Sequence, residues 1–144
     1  YATEIGKLFP EVTVEEQACP MWVPLVEYGE SNAPGADYFV EKYTAELMQR
    51  DPKIDTIILG CTHYPLLRPK IREALPESVE LISQGELVAS SLADYLLRHP
   101  EMEHRLSQGG EISYRTTECP EKFEELASIF TGTEVRATRV KITG

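Results

Sequence analysis

The run Ile54-Asp55-Thr56-Ile57-Ile58-Leu59-Gly60-Cys61-Thr62-His63-Tyr64-Pro65-Leu66-Leu67 constrains the fold more than any other part of the chain. Ile57, Ile58 and Leu59 are consecutive aliphatic residues, which predicts a parallel strand covered on both faces rather than one half-exposed to water. Gly60 lets the backbone turn without a side-chain clash, and Pro69 fits only the first turn of a helix. A helix is therefore expected to begin near Leu67 or Arg68. The thiol of Cys61 and the imidazole of His63 then lie in a strand-to-helix loop.

The flanking segments alternate between strand and helix periodicity. Ile5, Leu8 and Phe9 have helical spacing up to Pro10, and Val12 and Val14 alternate with polar residues as a strand would. Pro20 and Pro24 bracket a loop or short helical turn over residues 21–29, in which Glu27 is the one acid. Residues 31–35 are polar punctuation, and Ala36, Phe39, Val40, Tyr43 and Leu47 recur as a helix to about Arg50. After the Ile54–Gly60 strand, the pattern predicts a helix to Leu75, a strand at Val79–Ile82, and a helix carrying Val88, Leu92, Tyr95 and Leu96 that Pro100 stops. Residues 101–110 read as a loop. A strand from Ile112 to about Thr117, a helix between Pro120 and Gly132, and a strand through Val135 and Ala137 complete the order. Regular alternation of this kind implies an α/β fold, a parallel sheet flanked by helices that form its crossovers.

Charge and cysteine usage narrow the function classes. Asp and Glu number 24 against 14 Lys and Arg, a net charge of −10, so no basic field exists to hold nucleic acid or an anionic membrane face. No run approaches the roughly 18 apolar residues of a membrane span, and the start does not resemble a signal peptide. A cytoplasmic location is expected. Cys19, Cys61 and Cys119 are odd in number and irregularly spaced, which favours free thiols over a disulfide scaffold. The chain opens at Tyr1 on what already reads as a helix, which suggests a piece of a longer protein.

Ligands of open α/β sheets bind beyond the carboxyl ends of the strands, where Cys61 sits. A thiol beside a helix amino terminus or a cation is readily ionised and can act as a nucleophile or as a proton-transfer base. Residue types alone do not choose between these. Taken singly, a cysteine ending a buried strand is more often a small core hydrophobe, and a loop histidine a packing residue. Their spacing of two between a strand and a helix favours function. No second pair stands at zinc-ligand spacing, so no metal is expected.

Ile58-Leu-Gly-Cys-Thr-His-Tyr-Pro-Leu-Leu67 resembles the signature around the second catalytic cysteine of bacterial glutamate racemases, over ten consecutive positions. Ala18-Cys-Pro-Met-Trp-Val-Pro-Leu-Val-Glu27 is similar to a second segment of that family, with Ser83-Gln84-Gly85-Glu86 and Pro120-Glu121-Lys122-Phe123 as weaker echoes. The resemblance covers nearly the whole chain in order, and it corresponds to the carboxyl-terminal portion of such an enzyme.

That resemblance implies an isomerase without cofactor or metal, supplying D-glutamate for peptidoglycan, in which two thiols face each other across the substrate's α-carbon. One removes the proton and the other returns it on the opposite face. Carried over, Cys61 is one thiol, the one acting on L-glutamate; Thr62 hydrogen-bonds the substrate; His63 assists Cys61 and the substrate's ammonium group. Glu27 resembles a carboxylate near the family's site. Aspartate racemases of the wider superfamily usually carry an acid where His63 stands, so the histidine points to glutamate. The other thiol, in a Cys-Asn-Thr segment, and an amino-terminal Asp-Ser are not matched, so the chain by itself is expected to be inactive. Cys19 and Cys119 are not the family's catalysts and are assigned packing or incidental roles, and Trp22 an anchoring role beside the site loop.

The same resemblance implies that residues 1–82 form most of a second domain, and that residues 83–144 return to complete a first. The apolar helix faces of the returning segment, Phe123 and Phe130 among them, are then expected to be exposed or to self-associate as a homo-oligomer. Two rival readings stand beside this one. The first is a small cysteine hydrolase using Cys61 and His63, which lacks an identifiable oxyanion hole and third residue. The second is a ligand-binding α/β module without chemistry.

Overall fold

The computed structural model describes residues 1–142; Thr143 and Gly144, the end of the segment 83–144 expected to return to a first domain, lie outside the described residues. The chain divides into two compact units, Tyr1–Gln84 and the remainder from Gly85 on. Each is built around its own pair of parallel strands.

In the first unit, helix α1 (Ala2–Leu8), helix α2 (Trp22–Glu27) and helix α3 (Pro34–Arg50) precede strand β1 (Thr56–Ile58). A 3₁₀ turn (Tyr64–Leu67) runs directly into helix α4 (Arg68–Glu73), and strand β2 (Glu80–Ile82) follows. β1 and β2 pair in parallel with Thr56 opposite Glu80 and Ile58 opposite Ile82. The intervening turn and α4 make the crossover that a parallel pair requires. Prolines start the helices where their missing N–H costs nothing: Pro34 opens α3 and Pro69 lies in the first turn of α4. The core joins Trp22 and Val26 of α2, Ala36, Val40 and Tyr43 of α3, and Leu59, Leu67, Ile71 and Leu81. Leu67, Ile71, Val26 and Val40 are the largest side chains almost wholly removed from water, each contributing about 1.5–3 kcal/mol. Thr44, buried inside α3, returns its hydroxyl proton to the Val40 carbonyl at 2.8 Å and so leaves no orphan donor in the core.

The second unit contains helix α5 (Gln84–Arg98, its first residue in the preceding unit), the single turn α6 (Pro100–Glu103), strand β3 (Tyr114–Thr116), helix α7 (Pro120–Thr131) and strand β4 (Ala137–Arg139). β3 and β4 are parallel, with α7 as crossover. Gly132 ends α7 at φ +66°, the left-handed conformation that glycine adopts without penalty. Side chains of α7 satisfy the backbone leading into β4: the Val135 N–H donates to Ser128 Oγ at 3.0 Å and the Ala137 N–H to Glu124 Oε1 at 2.8 Å. Val135 is this unit's one buried apolar residue among those described.

Four expectations from sequence are corrected. Residues 12–14 form no strand, because no neighbouring strand lies alongside to share hydrogen bonds. β1 is not covered on both faces: Ile58 is 40% exposed in a sheet of only two strands. Pro100 stops α5 but also opens α6, so residues 101–103 are helical rather than loop. The helix after Cys61 is preceded by a 3₁₀ turn beginning at Tyr64 and ends at Glu73, two residues short of Leu75. In the second unit Phe130 is exposed, whereas Phe123 is half-buried against the Tyr114 ring at 6.4 Å.

Candidate active site

β1 delivers the chain to Leu59, whose N–H donates to the Ile82 carbonyl at 3.0 Å and holds the strand end against β2. The backbone then leaves the sheet. Gly60 is close beneath the Tyr1 ring, where a Cβ would come within 3.2 Å of Tyr1 Cε2. A side chain there would need that ring, the far end of a flexible and exposed side chain, to shift by a few tenths of an ångström. Cys61, Thr62 and His63 form the turn, and the Tyr64 N–H closes it by donating to the Cys61 carbonyl at 3.2 Å.

This turn places three site candidates together. Cys61 Sγ lies 3.8 Å from His63 Nδ1, within the range of a sulfur hydrogen bond, and Thr62 Oγ1 lies 3.4 Å from the same nitrogen. The other ring nitrogen, His63 Nε2, is 3.3 Å from Glu27 Oε1. Glu27 is the last residue of α2, so the helix carries its carboxylate to the outer side of the imidazole. A carboxylate on Nε2 favours the tautomer that keeps a proton there, which leaves Nδ1 able to accept from the thiol or the threonine hydroxyl. His63 is mostly covered and Glu27 about half, so their pairing orients the ring more than it stabilises the fold.

α2 grips the loop at its other end as well. Trp22 packs edge-on against Tyr64 at 4.8 Å and donates its indole N–H to the Phe39 carbonyl of α3 at 3.2 Å. The anchoring role expected of Trp22 is thereby observed. Burial pushes the Tyr64 hydroxyl above its ordinary range, with the charges of Cys19, Cys61 and Tyr43 adding to it. The hydroxyl therefore stays protonated as a neutral neighbour of the site. Tyr64 escaped sequence reasoning, although its position next to His63 in a helix-starting turn was a usable signal.

The three thiols differ in surroundings. Cys61 is partly exposed at the strand end, whereas Cys19 is buried in the core with its Sγ 3.7 Å from the Gln17 carbonyl. Desolvation, with the Glu46 carboxylate adding, pushes the Cys19 thiol up to about 12, so it is inert at neutral pH. Cys119 is exposed and its thiol meets Glu121 Oε2 at 2.7 Å; that hydrogen bond is the main cause holding the Glu121 carboxyl below its usual range. Among the described residues no group of three or more His, Cys, Asp or Glu is gathered as metal ligands. No helix among them is long and apolar enough to cross a membrane.

No protein-family model matches the chain. Curated glutamate racemases do: that of Shouchella clausii is 40% identical over 128 residues, covering 89% of this chain and 45% of the relative. That of Geobacter metallireducens is 36% identical over 132 residues, covering 92% and 48%. Among solved structures, a glutamate racemase of Bacillus anthracis superposes with a TM-score of 0.80 at 30% identity, over 99% of this chain and 52% of that one. The glutamate racemase of Francisella tularensis, solved in complex with D-glutamate, gives 0.82 at 25% identity, over 99% and 52%. The chain spans about half the length of the curated relatives it matches.

Proposed function

We infer that this chain, whose sequence and fold follow those of glutamate racemases over nearly its whole length, contributes one half of a two-thiol site that interconverts L- and D-glutamate. In this reading Cys61 Sγ is one of the two groups that exchange the α-proton. The observation that carries it is the line Cys61 Sγ, His63 Nδ1, His63 Nε2, Glu27 Oε1, with 3.8 Å at the thiol and 3.3 Å at the carboxylate.

The chemistry follows from that line. Removing an α-proton requires a thiolate, and a thiolate forms when the thiol's proton has somewhere to go. His63 Nδ1 is that acceptor, and Glu27 balances the imidazolium that results. With the proton returned from His63, the same sulfur is an acid and can protonate the α-carbon from its own side. Thr62, exposed at the turn, is placed to hydrogen-bond the substrate. Inversion needs a second acid–base group on the opposite face, which the family resemblance puts in a Cys-Asn-Thr segment that this chain does not match. On this reading residues 1–82 are most of the racemase's second domain, residues 83–144 complete its first, and the substrate is glutamate used for cell-wall peptidoglycan. The exposed α5 residues Val88, Leu92 and Tyr95, at helical spacing, support self-association of the chain when isolated. The catalytic reading is tested by solvent deuterium entering the α-carbon of glutamate in the full reading frame containing this chain, with and without Cys61→Ala.

A further inference from the structure

We propose that Tyr64 is a positioning residue, whose ring, seated against Trp22, fixes the turn in which Cys61 Sγ meets His63 Nδ1. That role rests on the reading of Cys61 and His63 as a proton-exchanging pair, and Tyr64 acts through them rather than on the substrate.

The turn is short, and its own sequence does not dictate it. The Tyr64 N–H closes it on the Cys61 carbonyl at 3.2 Å, and the Leu66 N–H donates to the His63 carbonyl at 3.1 Å. A residue that precedes a proline is biased toward extended backbone, yet Tyr64, followed by Pro65, opens the 3₁₀ turn Tyr64–Leu67. The hydrogen bonds of a 3₁₀ turn are also poorer in geometry than those of an α-helix. Contacts from outside the turn therefore carry part of its conformation.

Helix α2 supplies two such contacts, to adjacent residues. Its first residue, Trp22, meets the Tyr64 ring edge-on at 4.8 Å and 82°, the arrangement in which a ring's positive edge faces a negative ring surface. Its last residue, Glu27, meets His63 Nε2 at 3.3 Å. The two contacts are unequal. Trp22 is buried, and is itself held by its indole N–H on the Phe39 carbonyl at 3.2 Å and by the Tyr43 ring at 6.2 Å. Glu27 is about half exposed, and water screens an ion pair of that kind. The firm side of the hold is thus the ring contact, and the Glu27–His63 pair forms where that contact puts the imidazole.

The ring carries the role, and the hydroxyl does not. Among the described residues the Tyr64 hydroxyl makes no hydrogen bond to protein, while the ring packs against the core cluster that contains Trp22. At 3.8 Å the contact of Cys61 Sγ with His63 Nδ1 is already long for a hydrogen bond to sulfur, so a small shift of the turn breaks it. Proton transfer falls steeply with such misplacement.

The test uses the full reading frame containing this chain, as the parent, Tyr64→Phe and Tyr64→Leu. Two readouts are taken: the kinetics of α-proton exchange on glutamate, and nitrogen NMR of the His63 imidazole, which reports its tautomer without any catalysis. Tyr64→Leu is expected to lower kcat for exchange at least about ten-fold with KM changed by less than about two-fold, and to move His63 away from the tautomer of the parent. Tyr64→Phe is expected to rescue both readouts. Should Tyr64→Leu fail to fold by circular dichroism, Tyr64→Met carries the same expectation. A His63 tautomer unaltered by loss of the ring, a phenylalanine variant as impaired as the leucine one, or a loss confined to KM would each overturn the proposal. If the parent exchanges no α-proton, the racemase reading fails, and the NMR comparison by itself decides the role of Tyr64.

Discussion

Cys19 and Cys61 carry the same functional group and differ only in what surrounds it, which makes them a built-in control for one another. With its pKa raised from 9.0 to about 12, Cys19 stays protonated in the folded chain while the unfolded chain ionises near its ordinary value. Folding stability should therefore be unaffected by this group below pH 9 and fall progressively as pH rises from 9 toward 12. Thermal melts across that window should show a shallower decline in Cys19→Ala than in the parent. A thiol-alkylating reagent at neutral pH should modify Cys119 and Cys61 and reach Cys19 only after unfolding, as peptide mass mapping would report. For His63, which links the Cys61 thiol to Glu27, His63→Asn in the full reading frame should lower the rate of α-proton exchange on the order of 100-fold. Glu27→Gln should lower it less, because it disturbs the tautomer of the ring rather than removing the proton acceptor. Cys61 and His63 were legible because a glycine exit from an aliphatic run is a local pattern. Their geometric tie to Glu27 was not, since it depends on where α2 lands against the turn, 36 residues further along the chain.

At the scale of elements, α2 and the turn it holds are the mechanical unit of the site. Trp22 fixes one end through Tyr64 and Phe39, and Glu27 the other through His63. Trp22→Ala should destabilise the first unit by about 3–5 kcal/mol, read by urea unfolding, and loosen the turn as well. Ile71→Ala, in the wholly buried face of α4, should cost about 2–5 kcal/mol without touching the turn's hydrogen bonds. Helices were the more legible elements. Pro34, Pro69, Pro100 and Pro120 all stand in first turns, and Gly132 ends α7, each a local rule. Strands were less so, because a strand exists only with a neighbour. Val12 and Val14 have the right alternation and no ladder partner, and Ile58 has the right side chain and an uncovered face.

For the whole molecule, two small units each supply a βαβ arrangement, and among the described residues only the first holds the candidate site and a cluster of buried residues. The second exposes Leu87, Val88, Leu92 and Phe130, apolar side chains of the kind that association covers. Light scattering should find the isolated chain as an oligomer; a monodisperse monomer that binds no apolar dye would contradict this. In the proposed reading activity needs more polypeptide than this chain, which spans about half the length of the curated relatives it matches. The decisive measurement follows α-deuterium uptake separately from L- and from D-glutamate in the full reading frame, for the parent and for Cys61→Ala. The account predicts uptake in the parent and its loss from L-glutamate in the variant; uptake persisting from both enantiomers after Cys61→Ala would contradict it.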